Sequence, residues 1–278
     1  MAENIITIDH LSKSYGRHLA LDQLSLTVEK GEIFGFLGSN GAGKSTTIRC
    51  LLGLIKYRKG KVTLFNDRYH SLEESLDHIG YMPSEAMFYP NMTVKQVIEF
   101  AAKAHPNHDC KREADRLCKL LEVPLQKKIQ DLSLGNRKKV SIVCALQHQP
   151  DLLILDEPTS GLDPLMQERF FQIILDAKVK GKTCFLSSHV LSEVKAYCDR
   201  VAILKKGKLL AVDRVENIMH SQKKQVTIWI DGQSITKTFE GKLSDLLSDL
   251  SEIKPDDLLI EEPSLEDLFM HYYKEDVK

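Results

Sequence analysis

Gly38-Ser39-Asn40-Gly41-Ala42-Gly43-Lys44-Ser45-Thr46 is the stretch on which the reading of this chain turns. The five residues before it, Ile33-Phe34-Gly35-Phe36-Leu37, form an apolar run of the length and kind that makes a buried strand. Residues 46–54 behind it predict a helix. Strand, glycine-rich loop and helix in that order fit the P-loop pattern: Gly38, four residues, then Gly43, Lys44 and Ser45. Gly38, Gly41 and Gly43 let the backbone curl until several N–H groups point inward at phosphate oxygens, and the start of the helix adds its partial positive charge. Lys44 supplies a point charge for the β- and γ-phosphates, and Ser45 offers a hydroxyl to Mg²⁺. A glycine-rich turn that binds nothing is the bland alternative, and the agreement of strand, loop and helix speaks against it.

A phosphate loop alone leaves kinases, GTPases, helicases and transporters equally open. Leu152-Leu153-Ile154-Leu155-Asp156-Glu157 narrows the choice. Four apolar residues make a buried strand that ends on two adjacent carboxylates, and the C-terminal ends of parallel strands are where α/β proteins bind ligands. In that position Asp156 holds Mg²⁺, directly or through water, and Glu157 orients and polarises an attacking water. In isolation such a pair is more often a helix N-cap followed by a solvated glutamate.

Leu132-Ser133-Leu134-Gly135-Asn136 is the third motif, and with it the chain resembles the ATP-binding cassette (ABC) family, whose signature usually reads LSGGQ. Leu132, Ser133 and Gly135 match; Leu134 replaces the first glycine of the pair and Asn136 the glutamine. The resemblance implies that this segment opens a helix whose N-terminus meets the γ-phosphate held by a second subunit, so that Ser133 and Gly135 act in trans. Leu134 puts bulk near that interface. Read alone, the segment is an ordinary N-cap, and Arg137, Lys138 and Lys139 an ordinary solvated helix face. Ser160-Gly161-Leu162-Asp163 and Phe185-Leu186-Ser187-Ser188-His189 resemble the family's D-loop and switch histidine, which implies that Asp163 crosses the dimer interface and His189 reaches the γ-phosphate. The other nine histidines read as surface or core residues.

Tyr15 matches the family's adenine-stacking aromatic, a role that contributes contact area but little base selectivity. A half-buried strand tyrosine is the competing reading. After Gly80-Tyr81-Met82-Pro83, where the family usually carries a glutamine that touches Mg²⁺, this chain has Ser84. Its side chain is several atoms shorter, so that a water can take the place of a direct contact between Ser84 and the metal. Met87, Phe88, Tyr89 and Met92 follow, either receiving a partner's helix or filling the helical subdomain's own core.

The fold implied is α/β: a P-loop NTPase core with a mostly parallel sheet, an N-terminal antiparallel β subdomain, a helical subdomain over about residues 85–148 and a small α+β appendage. Domain boundaries are expected at 1–212 and 213–278. Ile5 to Ile8, Leu24 to Val28 and Lys61 to Phe65 read as antiparallel strands, with Gly16, Gly31 and Gly60 as turn glycines. Val94, Val97, Ile98 and Ala101 share one helix face, Leu117, Leu120 and Leu121 another, and Pro106 and Pro124 mark the breaks. Past residue 213 a hairpin over 225–239, a helix over 243–250, a strand over 258–260 and a last helix from Pro263 are expected. That tail, with its string EPSLEDLF, resembles the ATPase chains of bacterial exporters of drugs, antibiotics and peptides, in which ATPase and permease are separate.

Of 278 residues, 42% are hydrophobic and 28% charged, enough apolar material for a large core, and the net charge of −1 argues against nucleic acid as a partner. Six cysteines without C-x-x-C spacing read as reduced core fillers. No apolar stretch approaches the length of a membrane span, and the N-terminus does not open as a signal peptide. The resemblance therefore implies ATP and Mg²⁺ as ligands, a separate multi-span permease, a second ATPase subunit that is either a copy or a paralogue, and a place on the cytoplasmic face of the cell membrane. A soluble ABC ATPase acting on ribosomes or DNA is the alternative. A small-molecule kinase gives Ser133, Asp163 and His189 no job.

Overall fold

The computed structural model describes residues 3–85, 87–219, 223–230, 232–241, 243–253 and 255–261, and the chain divides into two compact units, 1–212 and 213–278. In the first, the strands are β1 (Asn4–Tyr15), β2 (His18–Glu29), β3 (Ile33–Leu37), β4 (Lys59–Leu64), β5 (Ile79–Met82), β6 (Leu152–Asp156), β7 (Thr183–Ser188), β8 (Arg200–Lys205) and all but the last two residues of β9 (Lys208–Arg214). Its helices are α1 (Lys44–Leu51), α2 (Leu72–Asp77), α3 (Val94–Ala102), α4 (Cys110–Leu120), α5 (Leu134–Leu146), α6 (Pro164–Val179) and α7 (Leu191–Tyr197).

Every residue of β3, β6 and β7 is buried, which is why β3 and the first four residues of β6 read as continuous apolar runs with no alternation, while β7 buries Thr183, Ser187 and Ser188 beside its apolar centre. All three strands lie in a six-stranded sheet of order β5-β6-β7-β3-β8-β9, and the pairs β5/β6, β6/β7, β7/β3 and β3/β8 are all parallel. Phe185 of β7 packs against Phe34 and Phe36 of β3 with ring centroids 5.8 and 5.1 Å apart, fixing the middle of the sheet. Because β3 has a neighbour from later in the chain on each side, its C-terminal end opens at a switch in strand order, the usual ligand position of such sheets. The register sets Leu37 beside Ser188 and Asp156 beside Ser187, so the residues following β3, β6 and β7 emerge together.

The N-terminal antiparallel sheet has the order β2-β1-β4. Gly60, expected in a turn, instead lies inside β4 with φ +104°, where a Cβ would meet the Leu11 Cα at 2.6 Å and the Asp9 carbonyl at 2.7 Å. Glycine is needed there because β1 bulges toward it between Asp9 and Ser12. The helix expected over 46–54 begins earlier and ends earlier, since Gly43 at φ +112° opens it and Gly53 at φ +66° turns the chain out of it.

Helices α3, α4 and α5 pack on one another. Thr93 and Gln96 form a reciprocal capping box at the start of α3, and Val94, Val97 and Ile98 face inward. On α4 the expected inward trio is reduced by one: Leu117 and Leu121, four residues apart, are fully buried, whereas Leu120 turns outward at 36% exposure. All six cysteines are free, and five are buried; burial pushes the thiols of Cys118 and Cys144 up to about 11 and about 12, which makes them poor nucleophiles.

The second unit contains α8 (Val215–Met219), β10 (Lys223–Ile230), β11 (Gln233–Glu240), α9 (Leu243–Ile253) and β12 (Asp257–Glu261). β10 pairs antiparallel with both β11 and β12, and Val226, Ile228, Leu246 and Leu250 form its small core. The helix expected from Pro263, and the string EPSLEDLF, lie outside the described residues. Among the described residues no helix is long and apolar enough to cross a membrane.

Candidate active site

The loop from β3 to α1 is shaped by residues that cannot carry a side chain. A Cβ on Gly38 would sit 2.7 Å from the Leu204 carbonyl, and one on Gly43 would sit 2.9 Å from the Ala20 carbonyl. Lys44 is 6% exposed, and its Nζ donates to the carbonyls of Gly38 at 2.6 Å and Ser39 at 3.3 Å. The same ammonium lies 3.0 Å from Glu157 Oε1. In front of the loop is a cleft of about 570 Å³. Tyr15, Ser39, Asn40, Gly41, Gly43, Lys44, Ser45 and Thr46 line it, joined by Ser84, Glu85, Glu157 and Ser160. His18 and Ala20 also line it, and the sequence reading did not single them out. Ala42 is buried beneath the loop. Tyr15 ends β1, paired with His18, and lines the cleft at 45% exposure.

Asp156 closes β6 at 2% exposure, with Oδ1 accepting from Ser187 Oγ at 2.5 Å. The next residue turns sharply: Glu157 has φ +50°, a left-handed conformation that costs a non-glycine residue about 1–2 kcal/mol. Its N–H donates to the Ser187 carbonyl at 3.1 Å and approaches Ser187 Oγ at 3.2 Å. That turn swings the carboxylate from the strand end into the cleft, where it is held between Lys44 and His189, whose Nδ1 lies 2.5 Å from Glu157 Oε2. A carboxylate so placed, with a cation on one oxygen and an imidazole on the other, can polarise a water beside a phosphate held by the loop.

Of the remaining motif residues, Ser160 lines this cleft and His189 reaches Glu157 within it, whereas Ser133, Gly135 and Asp163 do not line it. Ser133 caps α5 by accepting from the Asn136 N–H at 3.3 Å, Asp163 caps α6 by accepting from the Met166 N–H at 3.0 Å, and both are exposed. Gly135 lies against the D-loop of its own chain, where a Cβ would meet the Gly161 carbonyl at 2.8 Å. Leu134, 57% exposed, rests on Gly161 as well, so part of its bulk is taken up within the chain.

Lys138 departs from expectation. Rather than belonging to a solvated helix face, it is 2% exposed, and its Nζ donates to the carbonyls of Ser84 at 2.7 Å and Glu157 at 2.8 Å. Burial pushes its pKa down, while the carboxylates of Asp156, Glu157 and Glu85 pull it back up. The signal was present in the spacing: Ser141, Ile142 and Ala145, three, four and seven residues on, form the buried face of α5. Ser187, quoted as part of a motif but given no task, proves to hold both Asp156 and Glu157. In the segment after Ser84, Met87 and Tyr89 are 94% and 66% exposed, while Phe88 and Met92 are half-buried, so the segment divides between its two readings.

Fold and site together define a P-loop ATPase. A family model described as ABC transporter matches residues 21–160, and a second, for an AAA domain, matches residues 127–194. The uncharacterized ABC transporter ATP-binding protein YhaQ of Bacillus subtilis (strain 168) is 36% identical over 234 residues, 82% of this chain and 77% of the relative. The bacitracin transport ATP-binding protein BcrA of Bacillus licheniformis is 37% identical over 234 residues, 83% of this chain and 76% of the relative. A solved ATP-binding subunit of an ABC transporter superposes with a TM-score of 0.72 at 30% identity, covering 77% of this chain and 91% of the other. The chain belongs to the ABC transporter ATP-binding proteins and is an ATPase subunit of that family.

Proposed function

We propose that this chain is the ATP-hydrolysing subunit of a bacterial exporter, working on the cytoplasmic face of the cell membrane with a separate multi-span permease. The observation that carries the catalytic part is the linked set Lys44, Glu157 and His189 at the mouth of the phosphate loop. In this reading Lys44 and the loop N–H groups hold the β- and γ-phosphates, Tyr15 lies on the adenine, Glu157 polarises the attacking water, and His189 steadies Glu157 and the γ-phosphate. Ser45 and Asp156 offer hard oxygen donors suited to Mg²⁺, which supplies neutralisation of phosphate charge. Two such donors match an ion that keeps most of its ligands as water and nucleotide oxygens, and among the described residues no group of three or more His, Cys, Asp or Glu converges on a metal position.

Ser133 and Asp163 are exposed, Gly135 is half-buried, and none of the three lines the cleft of its own chain, which supports a role across the interface of a head-to-tail dimer, with a copy or with a paralogue. Closing such a dimer over ATP, and loosening it once the γ-phosphate is cleaved, gives the permease two states. The exposed pair Tyr89 and Phe100, with ring centroids 6.3 Å apart, is the surface this reading gives to the permease, together with the exposed Met87. A transport role is supported by the relative named for bacitracin transport. The soluble alternative draws no support from the relatives above, both named as transport or transporter proteins.

Glu157→Gln is expected to retain ATP binding and to turn over at least about a hundredfold more slowly; near-normal phosphate release by that variant refutes the role of Glu157. For the partner, the tagged chain is recovered from native membranes in mild detergent with Mg²⁺ and ATP. A polytopic membrane protein in stoichiometric amount is expected. Ribosomal or chromosomal proteins without a permease overturn the transport reading.

A further inference from the structure

The Lys138 ammonium is the least expected charge in the protein. It sits on α5 at 2% exposure, and taking an ammonium out of water is unfavourable unless its protons are used. Two of them go to backbone carbonyls on different segments: Ser84, where the chain leaves β5 for the segment bearing Met87 and Tyr89, and Glu157, where it leaves β6. A single nitrogen thus joins three parts of the molecule.

We propose that Lys138 is a positioning residue for ATP hydrolysis, fixing the backbone of Glu157 relative to the segment that begins at Ser84 so that the attitude of the Glu157 carboxylate follows that segment. The proposal rests on the reading of Glu157 as the water-polarising group. Glu157 needs such help. Its φ of +50° is unfavourable for a residue with a side chain, so the turn persists only where neighbours hold it. Its N–H is held by Ser187 and its carbonyl by Lys138, one clamp on each side of the strained residue. Because the carboxylate projects from this turn, a rotation of the peptide after Glu157 moves it away from Lys44 and His189, and a displacement near 1 Å is enough to slow a reaction by about a hundredfold. Charge agrees with geometry: Asp156, Glu157 and Glu85 stand close enough to favour the ammonium and offset part of its desolvation. An apolar residue would pack on α5 equally well but would leave two carbonyls without that donor.

Lys138→Met keeps the length of the side chain and removes its donors. The full chain is assayed for steady-state phosphate release and, separately, for equilibrium binding of a fluorescent ATP analogue, with Glu157→Gln measured alongside. Lys138→Met is expected to lose about tenfold or more in kcat while its analogue Kd stays within about twofold, because the phosphate loop is untouched. Lys138→Gln, which retains an amide donor, is expected to recover part of the rate and serves as the primary variant if the methionine protein does not fold. Wild-type kcat in Lys138→Met overturns the proposal, as does a fall in kcat matched by an equal fall in affinity, which marks a general distortion of the site. If Glu157→Gln itself turns over normally, it is the reading of Glu157 that fails; if Glu157→Gln is inactive and Lys138→Met is normal, only the positioning role fails.

Discussion

Acid is expected to destabilise this protein through one buried imidazole, that of His148. It is 3% exposed at the end of the signature helix α5, and its Nε2 lies 3.2 Å from the Ile79 carbonyl, so that nitrogen carries the proton. Nδ1 is buried without a hydrogen-bond partner. The ring stacks on His105 with centroids 3.7 Å apart and meets His108 edge-on at 5.8 Å. A second proton would enter Nδ1 with no acceptor and two imidazoles alongside, and burial first, then the His105 charge, push the pKa down to about 4. In the unfolded chain the same group titrates near about 6.5. Between those values the unfolded chain binds a proton that the folded chain does not, so the contribution is present in full above the unfolded value and is lost as pH falls toward the folded one. The gap corresponds to about 3 kcal/mol, gained at about 1.4 kcal/mol per pH unit. Urea unfolding of the wild type and of His148→Gln at steps from about pH 7.5 to 4.5 reads it directly. The other titratable groups in the cluster, Asp77 between His105 and His108 and the pair His78 and Asp151, are common to both proteins and drop out of the difference. The stability of the variant is expected to fall less steeply across this window; parallel curves refute the reasoning, whatever the absolute stabilities.

Gly80→Ala adds a Cβ that would meet the Ala145 carbonyl at 2.2 Å and Pro150 Cγ at 2.7 Å, where β5 runs under α5. Overpacking of this kind is expected to cost about 1–3 kcal/mol, seen as a lower thermal midpoint, and an unchanged midpoint contradicts it. Tyr15→Ala is expected to weaken nucleotide binding by about 1–3 kcal/mol, with Tyr15→Trp close to wild type, in titrations with a fluorescent nucleotide. Equal binding by the alanine variant removes Tyr15 from the site. Because an aromatic face discriminates little between purines, the loss should be similar for ATP and GTP.

Much of this was legible along the chain, because it depends on neighbours in sequence. Apolar runs of five residues are sufficient to specify buried parallel strands, and a glycine-rich segment between such a strand and a helix specifies its own curl, since only glycine fits against the carbonyls of Leu204 and Ala20. Motif order then gave the family. Burial of single polar residues was less legible. Lys138 sits among Arg137 and Lys139, and three adjacent cations read as solvated unless the helix phase is known to within a residue. Gly60 read as a turn for a similar reason: its left-handed backbone is local, but the bulge of β1 that demands it lies some fifty residues upstream.

By itself the sequence determined that there is a phosphate loop, two acidic residues at a strand end and a histidine at another, since each is a short motif with its own local geometry. Only the tertiary structure decided what those groups touch. Parallel register places Asp156 beside Ser187 and brings the ends of three strands together, and the left-handed turn at Glu157 then sends its carboxylate to Lys44 and His189. Lys138 anchors that turn from a helix begun more than twenty residues earlier. These contacts join residues from 19 to 113 positions apart in the chain, from Lys138 with Glu157 to Lys44 with Glu157. No local pattern encodes them, because they exist only once the sheet has closed.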